Sequence, residues 1–140
     1  MGTRALVHFG KTPEDIWATI YVHSDGYPTG TGADLKRVFD GALMRNGIRI
    51  GSVPEKQVNG PGCAAAQFVA AEKDGPGGVY IYKTGTSDSG EDYTYTVYAD
   101  EDQPLRVRIN TRHATLYDGS IDAFDPKAVE KAERDADEKP

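Results

Sequence analysis

The chain has 140 residues, a formal net charge of −6 and a single cysteine, Cys63. That length predicts one domain with a self-sufficient core, and one cysteine excludes an intrachain disulfide or a CxxC-type metal site. The acidic balance speaks against extended nucleic-acid binding, which needs a basic field or face. The start MGTRALVHFG carries no long apolar run, so neither a signal peptide nor a membrane span is expected, and a reducing, cytoplasmic setting fits the cysteine usage.

Arg4 to Phe9 and Ile16 to His23 read as strands. In the second, Ile16, Ala18, Ile20 and Val22 alternate with Trp17, Thr19, Tyr21 and His23, and the turn residues of GKTPED between the two predict a hairpin. The stretch Asp25 to Gly32, DGYPTGTG, then delivers the chain onto a helix N-terminus. Leu35, Val38, Phe39, Ala42 and Leu43 repeat at helical spacing and predict a helix over 33–45, closed by Asn46-Gly47. Residues 48–58 are ambiguous and read as a short strand at Ile48 to Ile50 followed by a loop broken by Pro54. A second glycine-rich entry, NGPGC at Asn59 to Cys63, opens an alanine-rich helix through about Lys73, which DGPGG stops.

Strands over 79–83, 93–99 and 105–109 follow, with KTGTSDSGED and DEDQP read as hairpin connections. Asp118-Gly119 is expected to turn a small terminal hairpin. Asp125 caps a last helix with Pro126 at its first position, but AVEKAERDADEKP has little apolar face and predicts a marginal, frayed end. This order predicts an α+β fold: a two-layer sandwich with a mainly antiparallel sheet and two principal helices on one face. Residues 1–122 form the single domain, and 123–140 an acidic tail.

Three sets of residues carry candidate chemistry. The two glycine-rich entrances let a ligand approach unpaired helix amides, and Thr29 and Thr31 add hydroxyls, which suits a small anionic, nucleotide-like ligand. The competing expectation is that these glycines only turn the chain, with Asp25 and Asp34 capping backbone. Cys63, in the first turn of a helix, is the candidate nucleophile of a papain-like hydrolase or transferase with His113 as base, against the commoner role of a small buried hydrophobe. The sheet face bearing Trp17, Tyr21 and His23 suits a protein interface, with a homodimer the expected use. The histidines His8, His23 and His113 lack metal-ligand spacing, so neither a metal nor a cofactor is expected.

The segments MGTR, TIYVHSDGYPTGTGADL, NGPGCAAAQFVA and GGVYIYKTGTSDSGEDYTYTVY together resemble a family of small, uncharacterised phage and bacterial proteins. The resemblance covers most of residues 1–100. It carries over to Arg4, Asp25, Gly26, Tyr27, Pro28, Gly30, Gly32, Asn59, Gly60, Gly62, Cys63, Glu91, Tyr93 and Tyr95. It implies a compact, phage-borne accessory protein rather than a reaction, and it leaves His113 outside the shared pattern; the working expectation from the two entrances is a non-enzymatic protein that binds a small anion or a host factor.

Overall fold

The computed structural model describes residues 2–47 and 56–137. In chain order the elements are β1 (Ala5–Thr12), β2 (Asp15–Val22), α1 (Ala33–Phe39), β3 (Leu43–Arg45), β4 (Gln57–Asn59), α2 (Gly60–Glu72), β5 (Val79–Tyr82), β6 (Tyr93–Tyr98), β7 (Arg106–Asn110), β8 (Thr115–Ser120) and α3 (Pro126–Asp137). Six strands form one sheet of order β5-β2-β1-β6-β7-β8, and β3 pairs with β4 beside it. The architecture is α+β with a mainly antiparallel sheet, as the sequence predicts.

Strand alternation decides which residues make the core. Ala5, Val7 and Phe9 of β1 lie level with Tyr93, Tyr95 and Val97 of β6, and Tyr95 and Val97 in turn with Ile109 and Val107 of β7. This face takes the helices. The Phe9 ring sits between Phe39 of α1 (centroids 6.1 Å apart) and Phe68 of α2 (5.9 Å), and all three are essentially inaccessible to solvent. Alanines such as Ala64 and Ala65 let α2 lie close on the sheet, where they are buried.

Several expectations are corrected. The first helix ends at Phe39 rather than Arg45, because Gly41 takes φ +79° just past it. Residues 43–45 then run as β3 to meet β4. The expected strand at Ile48 to Ile50 lies outside the described residues. Asp118-Gly119 makes no turn: β8 runs straight through it, with Asp118 level with Arg108 and Gly119 with Val107.

The connection KTGTSDSGED is also not a hairpin. β5 pairs antiparallel with β2, β2 antiparallel with β1, and β1 parallel with β6, so β5 and β6 run the same way. Parallel strands need a crossover. Residues 83–92 supply it as a strap across the sheet face opposite α1 and α2, where the Gly85 amide donates to Thr19 Oγ1 at 2.9 Å and the Asp92 amide to the Arg4 carbonyl at 2.9 Å. Beneath it Leu6 and Thr19 are buried although they point away from the helices.

The last helix is docked rather than frayed over its described residues. Asp125 accepts the amides of Lys127 and Ala128, Val129 packs on the core, and Phe124 just before it is buried. The core therefore extends past residue 122.

Candidate functional site

The first entrance is closed by the chain itself. The Asp25 carbonyl accepts both the Thr31 amide (2.8 Å) and the Thr31 hydroxyl (3.1 Å), and Tyr27 donates to the Asp25 carboxylate at 3.1 Å. Tyr95, whose phenol is pushed upward by burial, donates to the Gly26 carbonyl at 2.7 Å. Gly26 lies against the backbone of Arg4 and Ala5, Gly30 against the Asp25 carbonyl, and Gly32 against the Phe124 ring. Close packing on backbone requires glycine at 26 and 30, whereas a Cβ at 32 would press on the Phe124 ring.

The anion expected at this entrance is supplied from within. The amide and hydroxyl of Thr29 both donate to Glu130 Oε1 of α3, at 3.3 and 2.9 Å. Three residues on, Glu133 accepts the Tyr93 hydroxyl at 2.7 Å. Burial and this carboxylate both push the Tyr93 phenol upward. Replacing Glu130 by alanine is expected to cost about 1–2 kcal/mol, the worth of such a charge-assisted contact. Hydrogen exchange should show the loss concentrated in α3, and an effect spread evenly over the sheet would contradict this docking.

The second entrance lies at the other end of the molecule. Gly26 is anchored beside Thr3 at the start of β1, whereas Gly60 and Pro61 share a cavity with Lys11 and Thr12 at its end. Eight residues of strand put these ends roughly 25 Å apart at about 3.3 Å per residue. The two helices run antiparallel: α2 finishes where Lys73 reaches the Val79 carbonyl, and Val79 is level with Val22 and so with Ala5. Among the described residues the two entrances share no cavity.

The same separation parts Cys63 from His113. Cys63 is half-buried beside Gln57, Asn59 and Gln67, with Gln67 Nε2 3.5 Å from its Sγ. His113 sits exposed in the β7–β8 turn, whose Asn110 end is level with Thr94 and Leu6 near the start of β1. The pair does not form a nucleophile and base. Among the described residues no cluster of His, Cys, Asp and Glu could hold a metal, and no helix is long and apolar enough to cross a membrane.

The cavity beside the second entrance has about 440 Å³. Trp17, 49 % exposed, forms one wall, with Lys11 Nζ 5.3 Å from the centre of its ring. Met44 and Pro61 add apolar surface, and Arg45, almost wholly buried and bonded to Asp102 at 2.6 Å, adds a guanidinium. Asn59 faces it without capping α2, its side chain instead accepting the Gly47 amide at 2.7 Å. Asp15, Asp100 and Glu101 line the rim, so both signs of charge are present.

Sequence reasoning found Asn59 and Gly60 here, assigned Trp17 instead to the sheet face turned away from the helices, and missed Lys11, Met44 and Arg45. Met44 and Arg45 were absorbed into the helical repeat, and the signal that separates them is Gly41. Lys11 was hidden in a hairpin read only for its turn residues.

Compared with protein-family models, curated proteins and solved structures, the chain finds no match.

Proposed function

We propose that the chain is a non-enzymatic binding protein that takes a small, planar, anionic ligand of nucleotide-like character in the cavity beside the NGPG entrance. The observation that carries this reading is Trp17, a half-exposed indole on a cavity wall with cations nearby. A ring can stack on the indole while Lys11 and Arg45 face its anionic group, and the rim carboxylates can accept from sugar hydroxyls or a base edge. The sequence resemblance adds a phage-borne accessory setting, in which sequestering a host signal or blocking a host factor is a natural use.

Trp17 is the only tryptophan, so its fluorescence reports on the cavity directly. Titration of the full chain with nucleotides and phosphorylated metabolites is expected to give a saturable change together with a rise in melting temperature. Trp17→Ala should weaken binding at least about tenfold, given roughly 1–3 kcal/mol per stacked base. No response at millimolar ligand, combined with self-association, would move the reading to a dimeric protein-binding module at the β2–β5 edge, where Tyr80 is 42 % and Ile81 77 % exposed.

A further inference from the structure

Across the sheet face opposite α1 and α2, one row of side chains occupies matched register positions on all six strands: Tyr82, Thr19, His8, Thr96, Arg108 and Asp118. The strap 83–92 crosses this face on its way from β5 to β6. His8 is only 9 % exposed. Its Nδ1 lies 2.8 Å from Thr19 Oγ1, the same oxygen that accepts the Gly85 amide of the strap. A single hydroxyl therefore joins the buried imidazole to the cover above it.

The strap is a thin cover. Its far end is tied by Asp92, which gives its amide to the Arg4 carbonyl and takes the Arg4 amide on its carboxylate. Between the tethers, Asp88 and Ser89 turn their amides onto Glu91 of the strap itself, at 3.3 and 2.7 Å. At its near end the Thr84 hydroxyl also donates to the Trp17 carbonyl at 3.3 Å, so the Thr19 contact is one of two ties to β2 and the one that reaches His8.

We propose that His8 is a proton-controlled latch, whose protonation releases the strap 83–92 and opens the sheet face around Leu6, Thr19 and Thr96. A buried imidazolium needs solvent or a full set of partners, and its immediate neighbours on β2 and β6, Thr19 and Thr96, carry no charge. The charged groups that face it are few. Glu91 on the strap attracts a protonated ring, and Arg108, two strands away, is held by Asp118 at 3.1 Å. Burial outweighs Glu91, so the folded ring titrates below its ordinary value of 6.5.

The direction follows by linkage. With the strap open the ring regains its ordinary affinity for protons, and with the strap closed it binds them more weakly. Acidification below 6.5 therefore raises the open-to-closed ratio, by up to about tenfold per pH unit, until the closed ring also titrates. The strap is closed at neutral pH.

Amide hydrogen exchange on the full chain, corrected for intrinsic pH dependence, tests this. Between pH 7.5 and pH 5 the protection of Gly85 is expected to fall progressively while the Val7 and Tyr95 amides hold theirs. The change should follow the ring titration of His8 seen by NMR, not that of His23 or His113. His8→Asn should abolish the pH dependence, and Glu91→Gln, which weakens proton binding only in the closed state, should leave the onset near 6.5 and carry the loss of protection on to lower pH. Gly85 protection that stays constant, rises in acid as a Glu91 clamp would make it, or tracks another histidine overturns the latch.

Discussion

Phe9→Ala is expected to destabilise the protein by about 3–5 kcal/mol, the cost of emptying a fully buried aromatic site. The Phe9 ring is inaccessible and touches both principal helices, at 6.1 Å to Phe39 and 5.9 Å to Phe68. Phe9→Leu retains most of the volume and should cost less than half as much. Urea denaturation measures both. A Phe9→Ala loss under about 1 kcal/mol, well below that range, would mean that α1 and α2 do not close over this ring.

Gly30→Ala should cost about 3 kcal/mol, the upper part of the range for overpacking. A methyl group at Gly30 would run into the Asp25 carbonyl, which two hydrogen bonds from Thr31 hold in place. Nothing flexible stands there to move aside. Gly62 is the internal contrast: it lies in the first turn of α2 and has open space where a Cβ would project. Gly62→Ala should be neutral or stabilising by up to about 1 kcal/mol, from helix propensity. If both variants behaved alike, the closed first entrance and open second entrance would not be a valid distinction.

These two glycines show how far the sequence could be read. Period-two alternation located β2 and β7, strand-forming composition between turn signals located β1 and β6, and DGPGG marked the stop of α2, because such signals are local. Whether a glycine faces a ligand or the chain's own backbone depends on what arrives from elsewhere. Asp25 closes on Gly30 and Phe124 on Gly32, and the second of these contacts spans most of the chain.

The strap and α3 were misread for related reasons. KTGTSDSGED has turn chemistry whether it reverses a hairpin or crosses two strands, and only the parallel β1–β6 pairing separates the cases. The polar composition of α3 implied a weak helix, yet Glu130 and Glu133 are spaced to meet Thr29 and Tyr93. Cys63 and His113 were compatible by residue type alone. Their placement at opposite ends of β1 follows from helix direction, which composition does not encode.

The late arrival of β6 at the side of β1 also orders events during synthesis. The Arg4–Asp92 contact that leads into this pairing joins positions 88 apart in sequence. While β6 is still inside the ribosome, β1 can pair with β2 but its other edge stays open, and the β7–β8 flank has nothing to join. Long-range pairings of this kind repay their loop-closure cost only when formed, which slows folding and prolongs exposure of a bare edge. A nascent chain stalled before Tyr98 would present that edge to its neighbours, so aggregation during expression should depend more on the supply of β6 than on the acidic C-terminal helix.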